Sequence, residues 1–264
     1  CYQPDLPPLG ACGLCVVEVE GQEGLTRACI TVAQPGLVVR TNSEAISNTS
    51  RTAMELLLAG HPPDCGTCNK YLNCELQSLK QYLIGDHLSL KRRSRLFPVN
   101  TDNPLFNQDP NKCVVCGRCV RACHDLRGVG VLVYKKKGPE TYIGTKGDLP
   151  LAEAGCRFCG ACAEVCPTGA IIDKEEYRQG KSRRAALVPC RQACPAEIDI
   201  PAYVRHIREG DYKAALAKIR EKVPLPRVLG YVCHHPCETA CKRGAVNEAI
   251  AIRELKRFAA LYDH

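Results

Sequence analysis

The chain has 264 residues with no Trp, four Phe and one Met, against twenty Cys, so bound groups in several small modules, rather than one large apolar core, are expected to hold it together. No stretch approaches the ~20 apolar residues of a membrane span. The formal net charge of +8 counts every cysteine as neutral and therefore does not argue for a nucleic-acid partner.

Cys1, Cys12-x2-Cys15 and Cys29 come first along the chain. An alternating strand is expected from Val16 to Glu20, then a turn at Gly21 to Gly24 and a second strand from Leu25 to Ile30 that carries Cys29. Gly10, Ala11 and Gly13 are small, as a loop must be where backbone amides approach an inorganic group. Four cysteines on loops suit a [2Fe–2S] centre held by Cys1, Cys12, Cys15 and Cys29, in a plant-type ferredoxin module over residues 1–42.

Residues 43–105 read as a second module. A helix is expected from Arg51 to Ala59, closed by Gly60 and barred from continuing by Pro62-Pro63. His61-x3-Cys65-x2-Cys68-x5-Cys74 follows directly, with three cysteines and no fourth. A lone His at a helix end is more often a cap or a surface residue, but His61 is placed to complete a [4Fe–4S] ligand set with Cys65, Cys68 and Cys74. Glu75 to Leu83 reads as another helix, and Lys91-Arg92-Arg93-Ser94-Arg95 as a solvated loop or a docking patch for an acidic partner.

Residues 106–175 hold Cys113-x2-Cys116-x2-Cys119-x3-Cys123 and Cys156-x2-Cys159-x2-Cys162-x3-Cys166-Pro167. A triple of thiolates at spacing three, twice over, is the bacterial-type two-cluster ferredoxin pattern, in which the fourth cysteine of each run serves the other cluster. Cys113, Cys116, Cys119 and Cys166 are then one [4Fe–4S] set, and Cys123, Cys156, Cys159 and Cys162 the other. Zinc sites use separated pairs, and disulfide scaffolds scatter cysteines over loops, so neither fits as well. A reducing cytoplasm is expected. His124 reads as an ordinary occupant beside Cys123, and a hairpin is expected from Gly128 to Tyr134 and Thr141 to Gly144. Ionised ligands on all four sites would bring the loaded chain to about +1.

Residues 176–189 are mostly polar and read as a linker; the texture then turns helical over 187–264. Asp199 and Pro201 mark the start of a helix over Ala202 to Arg208, and Gly210-Asp211 break and cap. Tyr212, Ala215, Leu216 and Ile219 form one apolar face ahead of Pro224. A last helix is expected from about Glu248, with Ile252, Leu255, Ala259 and Tyr262 on one side. Cys190-x3-Cys194-Pro195 and Cys233-x3-Cys237-x3-Cys241 lie in this region.

Two resemblances follow from these motifs. Cys1-Tyr2-Gln3-Pro4, the stretch Gly10 to Gly21, and Glu55 to Cys65 resemble the iron–sulfur region of the large peripheral-arm subunit of respiratory complex I, shared with cytoplasmic [FeFe]-hydrogenases and NAD-linked formate dehydrogenases. Asn73-Cys74-Glu75-Leu76-Gln77 is most similar to the hydrogenase and formate dehydrogenase branch, and the likeness covers residues 1 to about 175. It implies ligation by His61, whose neutral imidazole would raise that cluster's potential, and a partial β-grasp module whose natural chain begins before Cys1.

Cys190 to Pro201, Val232 to Cys241 and Ala251 to Ala260 resemble the N-terminal helical iron–sulfur domain of the glutamate synthase small subunit and dihydropyrimidine dehydrogenase. That family carries a further C-x2-C upstream, where this chain has Ser182 to Pro189 with no cysteine. The resemblance implies one further [4Fe–4S] cluster from Cys190, Cys194, Cys233, Cys237 and Cys241: four of these, or three plus a non-Cys ligand. Family pairing joins Cys194, Cys233 and Cys237 with a fourth ligand near Lys256; Lys is poorly suited, and Cys190 or Cys241 can stand in. No G-x-G-x-x-G follows a strand, so FAD and NAD(P) are expected on a later part of the protein or on partner subunits.

The resulting expectation is an α+β, multi-module protein with one [2Fe–2S], three [4Fe–4S] and a further [4Fe–4S] cluster, and no catalytic site of its own. The resemblances imply an electron-transfer segment of a cytoplasmic NAD(P)H-linked flavo-iron–sulfur oxidoreductase, a bifurcating NADH/NADPH/ferredoxin transhydrogenase. Its implied partners are a complex I-like NADH-oxidising flavin subunit with its [2Fe–2S] partner, ferredoxin, and an FAD/NAD(P) domain, with no nucleic acid. The alternative is an accessory subunit of an NAD(P)-linked formate dehydrogenase or hydrogenase.

Overall fold

Three antiparallel strands open the chain in the computed structural model, which describes residues 1–174 and 187–262. β1 (Val16–Val19) lies between β2 (Leu25–Arg27) and β3 (Val39–Arg40), with Val17 opposite Thr26 and Glu18 opposite Arg40. β2 is shorter than the sequence suggests: Ala28–Ile30 is a 3-10 turn, so Cys29 sits on a turn and not on a strand.

Helix α1 runs from Glu44 to Ala59, starting well before the expected Arg51. Ser43 explains the early start. Its hydroxyl accepts from the Ile46 amide at 3.3 Å and donates to Glu18 at 2.5 Å, which caps the helix and ties it to β1. Gly60 closes α1, and α2 (Glu75–Leu83) has the expected bounds. Met54, Leu58, Leu76 and Ile84 form a small core between them.

The next unit is closed by its own ends. β4 (Phe106–Gln108) pairs antiparallel with β7 (Ile171–Asp173), while β5 (Leu132–Lys135) and β6 (Tyr142–Thr145) form the expected hairpin within slightly different bounds. Two short helices, α3 (Arg118–Arg121) and α4 (Ala161–Val165), each begin after a left-handed glycine: Gly117 at φ 69° and Gly160 at φ 71°. This repeat matches the two cysteine runs.

The expected linker over 176–189 falls outside the described residues up to 186; its end does not behave as a linker, because Leu187 and Val188 are buried. Helices α5 (Pro189–Ala193), α6 (Ile200–Arg208), α7 (Tyr212–Arg220), α8 (Pro226–Val232), α9 (Pro236–Thr239) and α10 (Ile252–Ala260) follow. Asp199 and Asp211 cap α6 and α7 by accepting from Ala202 and Ala214. α10 begins at Ile252 and not at Glu248. Tyr212, Phe258 and Tyr262 stack, with ring centroids 4.4 to 5.3 Å apart. Fully buried Tyr203 donates to the Ile252 carbonyl at 3.0 Å.

Burial does not stop at the module borders. One cluster of buried residues runs from Leu6 and Phe106 through Ile171 to Leu187, Tyr203, Ile219 and Ile252. Cys119, Cys123, Cys166, Cys190 and Cys237 are part of it, so the thiol sites lie inside the core that joins the units. Among the described residues, no helix is long and apolar enough to cross a membrane.

Candidate metal centres

The N-terminal site gathers Cys12, Cys15 and Cys29, with the Cys1 nitrogen 3.4 Å from Cys12 Sγ. Burial raises the Cys29 thiol, and a hydrogen bond with Cys15 raises it further. Gly10 has φ 66°, and a Cβ there would meet the Ile30 side chain at 3.0 Å, so glycine lets the loop close over the site.

The second site lies between the end of α1 and the start of α2. His61, Cys65, Cys68 and Cys74 line one cavity of about 70 Å³. The His61 ring uses Nδ1 on the Pro62 carbonyl at 3.0 Å, and its Nε2 is buried without a hydrogen-bond partner. Burial lowers the His61 pKa, and Arg92, Lys112 and Arg95 lower it further, so the ring is held neutral with a free lone pair. That donor set fits a cluster with one imidazole ligand.

The basic run after α2 is not simply solvated. Arg92 donates to the His61 carbonyl at 2.7 Å, and Arg95 to the Cys113 carbonyl at 2.8 Å.

Two thiol quartets occupy the ferredoxin-like unit. Cys113, Cys116, Cys119 and Cys166 line one small cavity. Burial, then neighbouring Cys116 and Cys166, pushes the Cys113 thiol up to about 12. Cys123 and Cys159 act on Cys156, whose thiol burial pushes up to about 11. Cys162, raised well above its ordinary value by burial, feels Cys159, Cys156 and Cys123 and also Cys119 of the other quartet. The fourth cysteine of each run thus lies with the other run, as the spacing suggests.

Each run also shows the same loop. Val115 at φ 53° turns its amide to Cys113 Sγ at 3.3 Å, and Phe158 at φ 53° turns its amide to Cys156 Sγ at 3.4 Å. Non-glycine residues in this region are strained, and here the strain aims an N–H at sulfur.

The helical unit repeats that device once: His235 at φ 47° donates its amide to Cys233 Sγ at 3.4 Å. The Cys237 thiol, pushed up to about 12 by burial, feels Cys194, Cys190 and Cys233. Cys190 in turn feels Cys241, which lines a separate cavity with it. The five cysteines are therefore not one equal group. Cys237 feels Cys194, Cys233 and Cys190, whereas Cys241 shares its cavity with Cys190, which thus takes part in both groups. Lys256 is buried on α10.

Buried thiols at high pKa are poor thiolates unless a cation meets them, and a cationic iron–sulfur core supplies that charge. Among the described residues, no three His, Cys, Asp or Glu side chains close on a single metal ion.

Sequence reasoning missed the arginines that join the sites. Buried Arg118 makes a forked ion pair with Glu75 at 2.8 and 2.7 Å and donates to the Tyr2 carbonyl at 2.6 Å. Buried Arg121 donates to the Cys1 carbonyl at 2.6 Å and to the Pro7 carbonyl. Their only signal in the sequence is their position, within two residues of a cysteine. The His61 site meets the Cys113 site at Pro167: its carbonyl accepts from the Glu75 amide at 3.0 Å and from Cys74 Sγ at 3.6 Å. A Cβ on Gly169 would sit 2.7 Å from Cys68 Sγ.

Comparison with known proteins places four family matches along the chain. Residues 2–44 match a 2Fe-2S iron–sulfur cluster binding domain, and 51–87 the NADH-ubiquinone oxidoreductase-G iron–sulfur binding region. Residues 112–170 match a 4Fe-4S dicluster domain, and 181–264 dihydropyrimidine dehydrogenase domain II, 4Fe-4S cluster. The chain is 38% identical to an NADH-quinone oxidoreductase subunit of Rhizobium meliloti, over 74% of this chain and 22% of that protein. It is 34% identical to the NADPH-Fe(3+) oxidoreductase alpha subunit of Geobacter sulfurreducens over the same shares, 74% and 22%. It is 37% identical to a subunit of the NADP-reducing hydrogenase of Solidesulfovibrio fructosivorans, over 62% of this chain and 28% of that one. The chain thus spans only 22 to 28% of the length of these curated relatives. The solved structure of an NAD+-reducing [NiFe]-hydrogenase in the H2-reduced state is similar at TM-score 0.57 and 30% identity, over 67% of this chain and 74% of that chain.

Proposed function

Since this chain belongs to the iron–sulfur family shared by NADH-quinone oxidoreductase and the NAD(P)-linked hydrogenases, we propose that it relays single electrons between flavin sites and ferredoxin. The ligand sets would be Cys1, Cys12, Cys15 and Cys29 for a [2Fe–2S] cluster, and His61, Cys65, Cys68 and Cys74 for a [4Fe–4S] cluster. Cys113, Cys116, Cys119 and Cys166 would hold a second [4Fe–4S] cluster, and Cys123, Cys156, Cys159 and Cys162 a third. A further cluster would rest on Cys194, Cys233 and Cys237 with Cys190 or a non-Cys group as fourth ligand. When bound, each cluster takes up and returns one electron.

The observation that carries this reading is that the first four ligand sets adjoin one another, through an arginine, a backbone carbonyl and a pair of sulfurs. Arg121 grips Cys1, Pro167 joins Cys74 to Cys166, and Cys119 lies beside Cys162. Two sets therefore converge on the Cys113 site, which hands on through Cys119 and Cys162. The chain's own residues fix the spacing, exclude water from the inner sulfurs and keep His61 neutral.

The helical unit is of a kind found in dihydropyrimidine dehydrogenase, which favours delivery to or from an FAD/NAD(P) domain and so a bifurcating NADH/NADPH/ferredoxin transhydrogenase. The complex would act in the cytoplasm with a complex I-like NADH-oxidising flavin subunit and its [2Fe–2S] partner. Similarity to an NADP-reducing hydrogenase and to a putative formate dehydrogenase of Staphylococcus haemolyticus supports a second reading, an accessory subunit of such an enzyme.

The test is iron, zinc and acid-labile sulfide per chain on anaerobically purified protein. The first four sites need roughly 14 iron, and a fifth four-iron site brings about 18. About 18 supports the wire-to-flavin reading. About 14 favours the accessory subunit, and stoichiometric zinc without sulfide sinks both.

A further inference from the structure

The ferredoxin-like unit and the helical unit meet at a junction built from cations. Arg127, just beyond the turn after α3, lies against the thiols of Cys159 and Cys190 in one cavity and reaches the Leu187 carbonyl at 3.4 Å. It lines a cavity of about 30 Å³ with Cys159, Cys190, Cys241, Arg157 and Arg243. Beside it, buried Lys242 lies 3.5 Å from buried Glu164, and a Cβ on Gly160 would come within 2.9 Å of Lys242 Nζ. Gly160 follows Cys159 and Lys242 follows Cys241, so the two cysteine loops touch. Beyond Cys159, which belongs to the neighbouring quartet, the cavity offers two thiols and several positive charges. It is furnished for anionic sulfur, not for another complete ligand set.

A guanidinium is suited to this place. It keeps its charge at any working pH, and its planar fork spreads donors in fixed directions, where a lysine offers a single mobile point of charge. An N–H aimed at a ligand sulfur, and a positive charge in a site poor in water, stabilise the more negative, reduced state of a cluster.

We propose that Arg127 is a potential-setting residue that bridges Cys159 of the ferredoxin-like unit to Cys190 of the helical unit. It raises the potential at the Cys123, Cys156, Cys159 and Cys162 site by holding a positive charge between the two thiols that face each other across the junction. The inference rests on the ligand sets proposed above.

The experiment uses the iron-loaded, full-length protein that carries this chain, with the variants Arg127→Lys, Arg127→Leu and Arg208→Leu. Arg208 belongs to the same junction, donating to the Gly128 carbonyl at 3.0 Å, but it does not line the cavity that Cys159 and Cys190 share with Arg127. Iron per chain is measured first, and the cluster potentials then follow from an EPR-monitored redox titration. The expected result is unchanged iron in all variants, with one four-iron signal moved to lower potential in Arg127→Lys and further in Arg127→Leu, and no movement in Arg208→Leu. Unchanged potentials in iron-complete Arg127 variants overturn the proposal. So does an equal shift in Arg208→Leu, or loss of iron from both Arg127 variants, which would make the residue structural only. Absence of iron from the unaltered protein fails the cluster reading itself, and iron content reports that separately from potential.

Discussion

His61 shows how a single side chain can be prepared for a metal by what surrounds it. Its Nδ1 is engaged by the Pro62 carbonyl, its Nε2 is buried without a partner, and three cations stand near. Burial and those cations hold its pKa below the ordinary 6.5. In the unfolded chain the ring therefore takes up its proton first as pH falls. The stability tied to neutral His61 is complete above pH 6.5, falls as pH drops below 6.5, and is gone below the folded-state pKa. Thermal midpoints followed from about pH 8 to 5 should decline less steeply in His61→Gln than in the unaltered protein. Equal slopes would mean that the ring carries no such linkage.

At the scale of elements, caps decide where helices begin. Ser43→Ala removes both the cap on Ile46 and the contact to Glu18, and should cost about 1 kcal/mol, read as a lower denaturation midpoint. The bounds of α2 could be read from the sequence, as could the starts of α6 and α7, because Asp199 and Asp211 announce themselves beside apolar periodicity. The first turns of α1 could not. Ser47, Asn48, Thr49 and Ser50 are weak helix formers, and the anchor on Glu18 that overrides them is a tertiary contact. The pairing of β4 with β7 is equally hidden, since two three-residue strands far apart in sequence carry no pattern that names each other. The cysteine groups were legible from spacing alone in the two runs. The division among Cys190, Cys194, Cys233, Cys237 and Cys241 does not show in spacing; the grouping of Cys194, Cys233 and Cys237 comes from the resemblance to the helical iron–sulfur domain, and the place of Cys190 depends on how α5 and α9 pack and on Arg127 entering from another unit.

On the scale of the whole molecule, sequence composition points to separate modules, and the structure joins them. The joining is done by charged groups as much as by apolar ones: Arg118 and Arg121 reach from α3 into the N-terminal segment. Each donates to backbone carbonyls of that segment and so holds it against α3. Arg121→Met should therefore loosen the Cys1 loop. Its expected mark is loss or broadening of the two-iron EPR signal, while the four-iron signals from the inner quartets persist. Simultaneous loss of all signals would mean instead that Arg121 holds up the ferredoxin-like unit.

The thiols are also graded by depth. The sets at Cys1, Cys12, Cys15 and Cys29 and at Cys65, Cys68 and Cys74 contain no buried thiol, whereas each of the others includes at least one, among Cys119, Cys123, Cys166, Cys190 and Cys237. Oxidants from the medium reach sulfur in proportion to its exposure. Air should corrode those two outer sites first, so a partly damaged molecule would be a wire stripped at one end, its deeper sites still able to hold charge.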